Sequence, residues 1–268
     1  MSAIDQLFQT LRAEGKKAFM PFITAGDPNL DFTSRLLREL SHLGCHLCEL
    51  GIPYSDPIAD GPVIQASYTR ALGHGVKLND ILANVTEVTS GGLSMPVVTM
   101  VSYAIVLRHG LEKYVDDAIA AGVSGAIVPD LLTEESDELS RVCRDRDFSL
   151  IQLVTPTTSK ERAIRITQTS TGFIYYVSVT GITGARQELP TELVEQVGWL
   201  KEQTDLPICI GFGISRPEHI QRLAPVADGF IVGSAIVKLI EEAVALGDEA
   251  AIEKVVSYVK EMLATLDR

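Results

Sequence analysis

Glu49, Asp56 and Asp60 fall within twelve residues of one another in E-L-G-I-P-Y-S-D-P-I-A-D-G-P-V-I-Q, residues 49–65. The stretch starts strand-like and apolar, and no Lys or Arg lies between Glu49 and Asp60. A carboxyl group held away from water binds its proton more tightly, which suits it to acid–base work near neutral pH. A buried structural ion pair is the alternative for Glu49, and the missing local cation weakens it. Asp56, in S-D-P, is expected to serve the turn as an Asx or N-cap acceptor.

A second group is glycine-rich: I-G-F-G-I-S-R-P-E (210–218) and V-G-S-A-I-V-K (232–238). Arg216 stands where a third glycine would complete a dinucleotide fingerprint, so Gly211 and Gly213 do not make one. Gly233 and Ser234 end an apolar run and open a helical turn, whose free N–H groups could grip a phosphate. Turn geometry alone is the competing reason for these glycines. A third stretch, S-V-T-G-I-T-G-A-R-Q-E-L-P (178–190), carries Gly181, Gly184, small hydroxyl residues and Arg186. It is long for a strand-to-helix loop and reads as a lid, with a plain surface loop as the alternative. Cys45 and Cys48 form a C-x-x-C with no second pair. On a strand, residues three apart point to opposite faces and cannot share an ion, so reduced thiols of a reducing cytosol are expected.

The elements that must position these groups repeat along the chain. Apolar runs occur at 18–24, 46–51, 97–100, 125–129, 149–155, 173–178, 207–211 and 229–233. Their ends lie about 30 residues apart, the size of a strand–helix unit. Helical faces fill the gaps: Leu111, Tyr114, Val115, Ala118 and Ile119 in one, and Ile252, Val255, Val256, Val259, Met262, Leu263 and Leu266 in the last. Residues 63–72 are expected to add a short helix, and Ile4, Leu7, Phe8 and Leu11 an amphipathic one at the start. Runs without polar alternation indicate strands covered on both faces, hence parallel ones. Eight units predict an α/β fold: a (β/α)8 TIM barrel over residues 1–268 as one domain, with an extra N-terminal helix and a short phosphate-site helix after strand 8. An open doubly wound sheet would carry a Gly-rich fingerprint after its first strand, where I-T-A-G-D-P-N stands instead. In a barrel the active site lies at the C-terminal ends of the strands, where Glu49 and Asp60 fall.

The 268 residues are 46% hydrophobic and 22% charged, ordinary for a globular chain. A net charge of −12 argues against a nucleic-acid partner. No apolar run reaches membrane-spanning length, and the N-terminus lacks the pattern of a signal peptide, so a cytoplasmic protein with no membrane association is expected.

P-F-I-T-A-G-D-P (21–28), the 49–65 stretch, T-G-I-T-G-A-R (180–186), G-F-G-I-S (211–215) and G-S-A-I-V-K (233–238) resemble, in order and spacing, the tryptophan synthase α subunits. The resemblance implies a retro-aldol lyase that cleaves indole-3-glycerol phosphate to indole and glyceraldehyde 3-phosphate. Glu49 matches the family's general acid–base and Asp60 the partner of the indole N–H. Tyr175 matches the aromatic beside the glycerol chain. Gly184, Gly213, Gly233 and Ser234 match the phosphate grip, with Thr183 and Arg186 in the lid. Phe22, Met100, Ile127 and Phe212 fit the apolar indole slot. No cofactor or metal is implied on this chain. The implied partner is a β subunit carrying pyridoxal phosphate, in an α2β2 heterotetramer. Carbon–carbon cleavage through indole as electron sink needs one group to protonate C3 and another to stabilise the N–H cation. Two positions depart from the family pattern: Ala104 replaces an Asn, and Leu132 a Pro. Both lie in loops that meet the β subunit in the family. A stand-alone lyase, a non-catalytic activating subunit and a phosphosugar isomerase are the alternatives.

Overall fold

All seven residues of the run Ala18–Thr24 are buried, and its side chains divide between two cores. Ala18, Met20 and Phe22 point inward, joining Val98, Met100, Ile127, Ile151 and Tyr175. Phe19 and Ile23 point outward into the layer between strands and helices. A strand apolar on both faces cannot leave either one to water, which is why polar alternation is missing from the sequence.

A computed structural model describes residues 1–177, 191–211 and 213–266. Its strands are β1 (Ala18–Thr24), β2 (Cys48–Gly51), β3 (Val97–Met100), β4 (Val123–Ile127), β5 (Ser149–Val154), β6 (Ile174–Val177), β7 (Ile208–Gly211) and β8 (Gly229–Val232). They close in sequence order into a parallel barrel, β8 pairing with β1 through Ala18↔Gly229 and Pro21↔Val232. The helices are α1 (Ala3–Ala13), α2 (Leu30–His42), α3 (Pro62–Gly73), α4 (Leu78–Ser90), α5 (Tyr103–His109) and α6 (Leu111–Ala120). They continue with α7 (Asp137–Asp145), α8 (Lys160–Thr169), α9 (Thr191–Lys201), α10 (Pro217–Leu223), α11 (Ser234–Ala243) and α12 (Asp248–Leu266). The (β/α)8 TIM barrel is therefore the fold, with α1 ahead of the first strand and α11 directly after the eighth. Among the described residues no helix is long and apolar enough to cross a membrane.

Helix α1 closes the N-terminal end of the barrel. Ser2 and Asp5 form a reciprocal capping box, at 3.2 and 2.9 Å, which starts the helix. Ile4, Phe8 and Leu11, on one helical face, then enter the barrel interior, where the rings of Phe8 and Phe173 lie 5.7 Å apart. Each such side chain contributes roughly 1.5–3 kcal/mol on burial.

Three expectations need correction. The fourth strand is Val123–Ile127 rather than 125–129, because Val123 and Gly125 already pair with Val97 and Val98 across a register shift. Ile119 does not share the buried face of Tyr114, Val115 and Ala118; it is exposed. Strand β2 begins only at Cys48, so strand alternation does not separate Cys45 from Cys48. Both sit in the outer core as buried free thiols, and burial pushes Cys45 up to about 12.

Candidate active site

Parallel register places Glu49. It pairs with Phe22 on one side and Val98 on the other, both inward-facing, so its side chain enters the barrel with them. It is 1% exposed, and neither carboxylate oxygen has a hydrogen-bond partner among the described residues. Burial, then the charge of Asp60, raises its pKa to about 8. An ionised Glu49 would be an uncompensated charge in an apolar chamber, so the group keeps its proton at neutral pH. Among the described residues the structural ion pair weighed above is not formed.

Asp60 reaches the same mouth by a tight return of the chain. The amide of Ile58 donates to the Asp56 carbonyl at 2.9 Å and that of Asp60 to the Pro57 carbonyl at 3.1 Å. Gln65, on α3, clips this return by donating from Nε2 to the carbonyls of Asp60 and Pro57 at 2.7 and 3.2 Å. Gly61 then leads to Pro62 in the first turn of α3, where a missing N–H does no harm. Burial, then the charge of Asp130, raises Asp60 to about 6. At pH 7 the two acids are thus separated in state: Asp60 mostly charged, Glu49 mostly protonated. Asp56 is exposed, and among the described residues its carboxylate accepts only from the Ser55 hydroxyl at 2.7 Å, without the expected Asx or N-cap bond to the backbone.

Phe22, Met100, Ile127 and Tyr175 come together in the inner core, as a slot for a flat apolar ring would require. Met100 pairs with Gly51 on one side and Ile127 on the other, which lines them up across three strands. Phe22 packs flush on Gly51; a Cβ there would lie 2.5 Å from its Cζ. Tyr175 is buried, and burial followed by the charges of Glu49 and Asp60 drives its phenol pKa well up, which keeps it a neutral hydroxyl.

Gly233 follows β8 and is the N-cap of α11; among the described residues no side chain caps this helix, and no acid lies in its first turn. The N–H groups of a helix start and the helix dipole make the exposed turn at Ser234 attractive to an anion. Gly213, at φ +78°, follows the neighbouring strand β7. Phe212, Thr183, Gly184 and Arg186, with the whole 178–190 stretch, lie outside the described residues.

Two residues of the site went unnoticed in the sequence. Tyr68, on α3, is buried with its hydroxyl 3.0 Å from where a Gly51 Cβ would stand, and the charges of Asp60 and Glu49 both act on it. Its signal is the apolar stripe Ile64–Tyr68–Ala71 at helical spacing. Asp130, beyond β4, accepts from the Ser102 hydroxyl at 2.6 Å and the Tyr103 amide at 2.7 Å, capping α5 while its charge reaches Asp60.

Comparison with known proteins agrees over almost the whole chain. The family model described as tryptophan synthase alpha chain matches residues 8–266. The tryptophan synthase alpha chain of Rhodopirellula baltica is 59% identical over 247 residues, 91% of this chain and 88% of that one. The crystal structure of tryptophan synthase subunit alpha from Legionella pneumophila superposes with a TM-score of 0.90 at 36% identity, covering 100% of this chain and 99% of that one. A chain from the tryptophan synthase a2b2 complex of Pyrococcus furiosus gives 0.86 at 37% identity over 93% of this chain and 99% of that one. A parallel barrel with two desolvated carboxyls at its mouth, matched in sequence over residues 8–266, leaves one assignment: the chain belongs to the tryptophan synthase alpha chain family.

Proposed function

We propose that this chain, one barrel domain over 1–268, is the α subunit of a cytoplasmic tryptophan synthase. It cleaves indole-3-glycerol phosphate to indole and glyceraldehyde 3-phosphate. The observation that carries the reading is Glu49: a fully buried carboxyl without a hydrogen-bond partner among the described residues, aimed into an apolar slot near a second acid, with burial raising its pKa to about 8 and that of Asp60 to about 6.

In this reading the indole ring lies among Phe22, Met100 and Ile127, Phe212 is assigned to the same slot, and the indole N–H faces Asp60. Glu49 gives its proton to indole C3, and positive charge develops on the ring nitrogen next to the Asp60 carboxylate. The new Glu49 carboxylate then takes the proton of the glycerol hydroxyl beside the breaking bond. The O–H electrons form the aldehyde C=O, the C–C pair returns to the indole ring, and Glu49 ends protonated as it began. Tyr175 contacts the glycerol chain with a neutral hydroxyl. The phosphate sits on the amides near Gly213, Gly233 and Ser234, with Thr183 and Gly184 contributing from the 178–190 segment.

A β subunit carrying pyridoxal phosphate is the proposed partner, in an α2β2 assembly. Ile58, Leu107 and Leu132 support this: they are 85, 53 and 52% exposed, and they follow the consecutive strands β2, β3 and β4 at the catalytic end. Large apolar side chains grouped on one rim mark an interaction surface. The test is indole release from indole-3-glycerol phosphate, with and without a β subunit. Weak activity alone and a large rise with the partner are expected. High activity indifferent to the partner would make the protein a stand-alone lyase, and no indole in either case would leave it a non-catalytic activator.

A further inference from the structure

We infer that Arg70 is a positioning residue for this reaction: it fastens the helix that follows Asp60 to the helix whose first turn receives the phosphate. The kinetic part of this inference rests on the function proposed above; the mechanical link does not.

Arg70 lies on α3 and faces two acids from two other elements. Its Nε donates to Asp27 Oδ1 at 2.9 Å and its Nη2 to Asp27 Oδ2 at 2.7 Å, a two-pronged contact. Its Nη1 donates to Glu241 Oε1 at 2.8 Å. Asp27 belongs to the turn after β1 and is 4% exposed, so its carboxylate cannot turn to water and holds the guanidinium in place. Glu241 belongs to α11, two turns after Ser234. One planar cation thus joins the end of β1, α3 and α11.

What those elements carry gives the link its meaning. Asp60 stands two residues before Pro62, the first residue of α3, so a tilt of α3 moves the carboxylate proposed to face the indole nitrogen. Arg70 is about 12 Å along the same helix, far enough to act as a lever on its start. A buried bond between the hydroxyls of Thr24 and Ser67, 2.6 Å, pins the middle of α3 to β1. Phe22 touches the sites of both Gly51 and Gly233, so the slot and the phosphate turn already share a wall. Arg70 closes the ring of contacts on the outside, fixing the distance between Asp60 and the α11 amides that must engage one substrate molecule. Lysine would keep the charge but not the fork, so it could not hold Asp27 and Glu241 in fixed directions at once.

The test compares wild type, Glu241→Gln and Arg70→Lys, each with the β subunit. Steady-state indole release, thermal melting, and hydrogen exchange of peptides covering 57–73 and 229–243 are measured. Glu241→Gln takes the charge from the α11 arm alone, which is half-exposed, and so weakens it; KM should rise about two- to fivefold with kcat nearly kept and the melting temperature unchanged. Exchange should quicken in the 229–243 peptides. Arg70→Lys should raise KM further, lower kcat, and quicken exchange in both regions. Wild-type KM and exchange in both variants, or a lower melting temperature alone, would reduce Arg70 to a structural ion pair. If Arg70→Lys does not fold, Glu241→Gln decides. If wild type releases no indole, the lyase reading falls, while the exchange comparison still decides the link.

Discussion

Tyr175 fills the space beside Gly211: a Cβ on that glycine would lie 2.5 Å from the tyrosine Cζ and 2.7 Å from its Cε1. The two residues sit on adjacent strands, where Tyr175 pairs with Cys209 and Gly211 with Val177. The ring therefore leans along the barrel over a position that has no side chain. Gly211→Ala is expected to push the ring from the slot, costing about 1–3 kcal/mol in denaturant unfolding and lowering kcat/KM. With Tyr175→Ala as the second mutation, the stability costs should be clearly less than additive. Additive costs would mean that the ring is not what the glycine accommodates.

The rate should depend on pH as a bell. Asp60 must be charged and Glu49 protonated, so kcat/KM should fall below about 6 and again above about 8. The limbs belong to the interacting pair rather than to either residue alone. Glu49→Gln should lower turnover by roughly 100-fold or more while phosphate-ligand binding persists. Near-normal turnover in that variant would remove Glu49 from the mechanism.

Stability should carry the same signature. Glu49 binds its proton more tightly in the folded chain than in the unfolded one, where it titrates near 4.5. Its environment therefore favours folding fully below that value, and the advantage is lost as pH rises toward about 8. Glu49→Gln removes this loss. Its unfolding free energy should match wild type near pH 4 and exceed it by a few kcal/mol, roughly 2–4, near pH 8.5. Equal pH slopes for the two proteins would show that Glu49 is solvated in solution.

Asp130 offers a way to move one limb alone. Its charge raises the Asp60 proton affinity, so Asp130→Asn should shift the acid limb of the rate profile downward and leave the alkaline limb in place. The same change weakens the acceptor for Ser102 and Tyr103 at the start of α5. A profile that moves as a whole, or not at all, would separate Asp130 from Asp60.

Much of the molecule was legible before folding was considered. Runs such as Ala18–Thr24 and Val97–Met100 matched their strands residue for residue, because burial on both faces is written locally as unbroken apolarity. Where the pattern weakens, boundaries slip: β4, V-S-G-A-I, carries a serine and a glycine right after its first valine, and the expected strand starts two residues late. Glu49 and Asp60 stood out because few stretches place acids among glycines and prolines. Asp56 stood out for the same reason and has no comparable surroundings.

The eight-unit repeat, and with it the barrel and the acids at its mouth, can be read from residues close together in the chain. What those acids can do depends on the folded molecule. Glu49 binds its proton tightly because strands and helices from across the chain exclude water from it. Asp60 feels Asp130, seventy positions away, and Arg70 meets Asp27 and Glu241 at separations of 43 and 171 residues. Desolvation and electrostatic interaction are sums over distance in space, and closure of the barrel is what sets those distances.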